Sequence, residues 1–169
     1  MKLLRVSLND TNGASFRFIA SKKEASYKED TLTVNKLLNE EKKRGIDNLK
    51  TYKSFEKKVF EHKNALLNLV NKLRKNHKTI AGYGASTKGN VILQFCKLST
   101  KGIYHIAEVN EYKFGKYTPG TYIPIIPEHQ SKAMKPDYYL VLPWHFKEGI
   151  LKREKEYLKN GGHLIFPLP

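Results

Sequence analysis

Residues 79–90 read Thr79-Ile80-Ala81-Gly82-Tyr83-Gly84-Ala85-Ser86-Thr87-Lys88-Gly89-Asn90. Thr79-Ile80-Ala81 is expected as a short strand, Gly82–Asn90 as a glycine-rich loop and Val91–Leu98 as a helix. A loop set between a strand and the helix after it is where an open α/β sheet binds phosphate. Gly82 and Gly84 can take positive φ and let a ligand approach the backbone, and the first N–H groups of the helix then point at the anion. Ser86 and Thr87 add hydroxyls and Lys88 adds charge; Tyr83, Gly89 and Asn90 complete the candidate substrate-binding loop. The spacing departs from G-x-G-x-x-G, because Thr87 stands at the third glycine position, and also from G-x-x-x-x-G-K-[ST]. A tight turn that needs its glycines only for packing is the competing explanation.

Downstream the chain alternates strands and helices. Ile103–Val109 is read as a second strand and Pro136–Leu142 as holding a third. Phe146–Asn160 is read as a charged amphipathic helix, and His163–Leu168 as a last strand after the Gly161-Gly162 turn. Pro124 interrupts Tyr122–Ile126, which points to an edge or irregular segment. Strand–helix–strand alternation with short turns implies an α/β fold with a mainly parallel sheet flanked by helices. Glu108 lies 24 positions after Gly84, where such folds hold a ribose diol with a carboxylate; an ordinary charged strand end fits equally well. Glu108 or Asn110 is the candidate for a ribose or sugar hydroxyl. Lys113, Lys116 and Tyr117 sit in a loop suited to close over a diphosphate, unless it is only a solvated turn around Pro119-Gly120. Trp144 and His145 follow the third strand and are candidates for a stacking rim, a buried structural tryptophan being the other choice.

Upstream, Asp30 or Thr31 can cap a helix that runs to Arg44 and stops at Gly45. A longer helix is expected over Thr51–Lys75, with Phe55, Val59, Leu66, Val70 and Leu73 on one face. Before these, Leu3–Ser21 alternates on both sides of Asn9-Asp10-Thr11-Asn12-Gly13, a hairpin signal. Two strands do not stand alone in water, so the hairpin is expected to dock on something.

Composition narrows the function. Of the 31 basic residues 26 are lysine, spread along the chain, against 16 acidic ones, for a net charge of +15. Base readout and bidentate phosphate grip favour arginine, so nucleic acid ranks last among partners, below small anions such as a nucleotide diphosphate. No apolar run approaches the roughly 18–20 residues of a membrane helix, and no membrane partner is expected. One cysteine, Cys96, excludes an internal disulfide and suits the cytoplasm. The histidines show no metal spacing, so no metal site is expected.

Several motifs fall in a recognisable order: the Gly82–Asn90 loop, Asn110-Glu111-Tyr112-Lys113, Thr118-Pro119-Gly120-Thr121, Ile123-Pro124-Ile125, Pro136-Asp137-Tyr138, Leu142-Pro143-Trp144-His145 and the Gly161-Gly162…Pro167 ending. In that order they resemble the C-terminal domain of S-adenosylmethionine-dependent sugar C-methyltransferases, over about residues 30–169. The hairpin with Asn12-Gly13-Ala14-Ser15-Phe16-Arg17 is similar to the closing strands of that family's donor-binding domain. The resemblance implies a Rossmann-like domain at 79–169, a helical lead-in at 26–78 and a hairpin remnant at 1–25. It implies a nucleotide-linked deoxysugar as the ligand, and S-adenosylmethionine as the cofactor of the complete enzyme only. The family's zinc cysteines and glycine-rich donor motif are absent from this sequence, so no catalytic residue is assigned here. A separate or missing donor-binding domain is the implied partner. The expectation is a substrate-binding domain, inactive alone; a stand-alone nucleotide-binding or scaffold module is the alternative.

Overall fold

The computed structural model describes residues 1–168; Pro169, the end of the expected third domain, lies outside the described residues. Contacts group the chain into two units, Met1–Phe60 and the stretch from Glu61 onward.

In the first unit, strands β1 (Lys2–Asn9) and β2 (Ser15–Ser21) pair antiparallel, from Lys2↔Ser21 to Asn9↔Ser15, with a bulge between Leu3 and Arg5. The expected hairpin is present. Its connection carries a short 3₁₀ turn at Thr11–Gly13. Helix α1 (Thr31–Lys43) is capped by Asp30, whose Oδ1 accepts the Thr33 amide at 3.1 Å. Gly45, at φ +65°, ends it in the left-handed conformation glycine adopts freely.

Helix α2 (Leu49–Lys75) starts two residues earlier than expected and buries Leu66, Val70 and Leu73 in the second unit. The rest of that unit runs β3 (Ile80–Tyr83), α3 (Thr87–Phe95), β4 (Ile106–Glu108), β5 (Ile125–Pro127), α4 (Glu128–Ala133), β6 (Tyr138–Val141), α5 (Lys147–Arg153), α6 (Lys155–Lys159) and β7 (His163–Ile165), an alternation of strands and helices as expected in outline. Among the described residues the sheet has five strands, all parallel, in the order β5-β4-β3-β6-β7. The α/β, Rossmann-like class is borne out. No helix of the described residues is long and apolar enough to cross a membrane.

One sheet face is aliphatic: Ile80, Ile106 and Leu140 pack with Leu66, Val70 and Leu93. The other is built from Ala81, Tyr83, Ala107, Tyr139, Val141 and Ile150. Strands β4 and β7 are shorter than the expected Ile103–Val109 and His163–Leu168, and other boundaries shift for visible reasons. Strand β3 runs through Gly82 and Tyr83, because the Gly82 and Gly84 amides continue the parallel ladder onto the carbonyls of His105 and Ala107. Helix α3 therefore begins at Thr87, capped by Ser86, and not at Val91. The expected single helix 146–160 is a 3₁₀ turn (Trp144–Phe146) followed by α5 and α6. They divide at Glu154, whose buried carboxylate reaches the Tyr83 hydroxyl at 2.7 Å. Pro124 does precede an edge strand, as expected, and the unanticipated helix α4 follows it directly.

Candidate functional site

The order in which strands are added reverses between β3 and β6: strands added after β3 go to one side, those from β6 to the other, all of them parallel. At such a switch the loops leaving the two strands diverge and open a crevice at their carboxyl ends. A cleft of about 390 Å³ lies there, lined by Gly84, Ala85, Ser86, Glu108, Lys113 and Phe146, among others. Tyr83, Gly84, Ser86, Glu108 and Lys113, all singled out in the sequence, meet in it.

The glycines have packing reasons. A Cβ on Gly82 would run into the Ile106 side chain of β4. One on Gly89 would meet Leu142, and one on Gly84 would lie 2.9 Å from the Pro143 ring. Gly84 also has φ +76°, the left-handed conformation that lets β3 turn toward α3.

Glu108 is saturated. Its Oε1 accepts the amides of Val109 (2.8 Å) and Asn110 (3.0 Å); its Oε2 accepts the Ala85 amide (2.8 Å) and Lys113 Nζ (3.3 Å). Burial alone would raise its pKa, but the Asn110, Val109 and Ala85 amides and the Lys113 ammonium outweigh burial and hold the carboxyl below its ordinary range. Lys113 also donates to the Ala85 carbonyl at 2.9 Å.

Around the opening of α3, the Ser86 hydroxyl oxygen accepts the Gly89 amide at 3.0 Å, which leaves its O–H to donate. Thr87 and Lys88 are exposed, and no acceptor within the described residues takes the Thr87 amide. Asn90 Oδ1 and His145 Nδ1 are buried without a hydrogen-bond partner among the described residues. Burial, then the Lys88 charge, keeps the His145 imidazole below its ordinary pKa. Trp144 and His145 are half-buried in the 3₁₀ turn beyond Pro143, outside the cleft lining. Asn110 caps the Glu111–Lys113 turn by accepting the Tyr112 amide. Lys116 and Tyr117 are exposed on a segment that pairs alongside β5: the Lys116 carbonyl accepts the Ile125 amide, and Tyr117 bridges Pro124. The structure brings neither of them into the cleft.

Sequence reasoning missed a charged group at the back of the cleft. Glu128 accepts from Lys132 (2.9 Å) and from Arg153, while buried Glu154 accepts from the Tyr83 hydroxyl and from Lys132 (2.9 Å). Burial opposes ionisation of Glu128, but Lys132 and Arg153 prevail and hold its pKa down. Burial, then the bond to Glu154, pushes the Tyr83 hydroxyl up. The available signal is Glu128 and Lys132, four apart as on one face of a helix.

Comparison with known proteins gives two findings. The family described as "C-methyltransferase C-terminal domain" matches residues 10–169. The chain is 35% identical over 169 residues to C-methyltransferase NovU of Streptomyces niveus; the match takes in all of this chain and 40% of that relative's length.

Proposed function

Because the chain belongs to the C-methyltransferase C-terminal domain family, we propose that its share of the methylation is to hold the acceptor, a nucleotide-linked deoxysugar. The diphosphate is gripped at the turn between β3 and α3. The observation that carries this reading is the position of the cleft, at the carboxyl edge where the strand order reverses. The donors left over suit an anion: the Thr87 amide, the Ser86 hydroxyl, and the N–H that Lys113 keeps after spending two of three on Glu108 and Ala85. The helix dipole and the Lys88 charge add to them. Asn110 takes the role of hydroxyl partner, and Trp144 and His145 form the outer rim.

The methyl donor of such an enzyme, S-adenosylmethionine, would supply an electrophilic methyl group. Its ribose finds no open carboxylate in this cleft, since Glu108 is filled. Calorimetry with UDP-glucose and dTDP-glucose tests the reading. Lys88→Ala and Ser86→Ala are each expected to weaken binding by about threefold to tenfold. Wild-type affinity in both variants removes the turn from the function. The packing explanation of Gly82, Gly84 and Gly89 favours a second reading, a scaffold whose turn is only structural, and that reading predicts no heat with either nucleotide sugar.

A further inference from the structure

We propose that Glu108 is a positioning residue: from the end of β4 it fixes the Gly84–Ser86 turn and Lys113 in the shape that meets a diphosphate, without touching the ligand. The proposal rests on the diphosphate reading above. An ionised carboxylate offers about four lone-pair sites, and protein donors fill them all, three backbone amides and one ammonium. A ribose diol would have to displace charge-assisted bonds already made to a buried carboxylate, which leaves no net gain.

The Ala85 residue is held at both polar groups. Its N–H goes to Glu108, and its carbonyl takes Lys113 Nζ, which Glu108 itself anchors. Ala85 is also where the chain passes from left-handed Gly84 to extended Ser86, at φ −91° and ψ 150°. The clamp therefore sits on the residue that converts strand into helix. The other charged groups lining the cleft, Glu128 and Arg153, are paired with each other, so neither can take the place of Glu108. An acidic residue at this distance from a glycine turn reads as a ligand contact in sequence; here the same spacing serves the turn from behind.

The test combines calorimetry, using inorganic pyrophosphate and UDP-glucose, with hydrogen exchange of the Ala85 amide in unliganded protein. Glu108→Gln keeps the size but offers one accepting oxygen in place of two. It is expected to weaken both probes equally, by about tenfold or more, and to speed Ala85 exchange about tenfold. Lys113→Met alters a partly exposed side chain and keeps the test open should the first variant fail to fold; it is expected to speed Ala85 exchange in the same direction. Loss confined to UDP-glucose would mean that Glu108 touches the ribose, and it overturns the proposal alone. So does normal binding with unchanged Ala85 exchange in the variants. Failure of the wild type to bind either probe sinks the diphosphate reading and this proposal with it.

Discussion

A methyl group added at Gly89 would lie 2.9 Å from Ser86 Oγ and 3.0 Å from the Leu142 Cα, closer still to the Leu142 Cβ. Backbone on β6's outgoing loop cannot retreat from it cheaply, so Gly89→Ala is expected to destabilise the protein by about 1–3 kcal/mol. Gly149, inside α5, has open space where a Cβ would go. Gly149→Ala is expected to stabilise by about 0.5–1 kcal/mol, because alanine loses less backbone freedom on folding. Urea unfolding of both variants separates the two effects; a neutral Gly89→Ala would show that the approach of Leu142 is not what requires glycine there. Around this turn the sequence was legible only in part. The glycines were visible, and so was their place in a strand–turn–helix. Their neighbours were not, since Ile106, Leu142 and Pro143 come from other strands or the loops beyond them. Glu108 illustrates the same limit: its spacing was readable, but whether its oxygens face a ligand or the adjoining turn depends on contacts that only the folded sheet creates.

At the level of elements, local chemistry was the legible part. Asp30 before α1 is the kind of residue that marks a helix start from sequence alone. The elements that surprised are those governed by distant partners, as where α5 and α6 part at Glu154 to reach Tyr83. Asp137 shows a distant tie with a measurable consequence. It precedes β6 and accepts the Thr79 amide (2.8 Å), the Thr79 hydroxyl (2.8 Å) and Lys78 Nζ (3.0 Å), while its own amide donates to Thr79 Oγ1 at 2.9 Å. The Thr79 amide, then the hydroxyl and Lys78, hold its pKa at about 2. A carboxyl lowered on folding contributes stability above its unfolded pKa and loses it as pH falls through the folded value. The entry edge of β3 and β6 should therefore weaken between about pH 4 and pH 2. Asp137→Asn can still accept the Thr79 amide but no longer titrates. Its acid-unfolding curve is expected to be flatter than wild type across that window, and parallel curves would show that Asp137 contributes no pH-dependent stability.

Across the whole molecule, burial is distributed unevenly. Among the described residues no side chain before Leu66 is buried, and the core clusters draw entirely on residues from Leu66 onward. In the first unit Leu8, Phe16 and Phe18 stand exposed on the hairpin, at 70%, 66% and 59% of their full surface. The alternation that predicted the hairpin was sound, but within Met1–Phe60 nothing gives its apolar residues a fully buried place. Hydrogen bonds alone contribute little net stability once water competes for the same groups, and a two-stranded ribbon is marginal without a covered face. The strands of the second unit are different, since Ile80, Ala81, Leu140 and Val141 are fully buried between helices. Local opening should follow this division. Amides of Ile80–Tyr83 and Tyr138–Val141 are expected to exchange only on global unfolding, and those of Lys2–Ser21 at least about a hundredfold faster. Dilution separates two causes if the hairpin proves slow. Protection that fades on dilution would mean that copies of the chain cover one another's Phe16 and Phe18. Protection equal to that of the sheet at every concentration would contradict the argument from burial, because the ribbon would then hold without a core of its own.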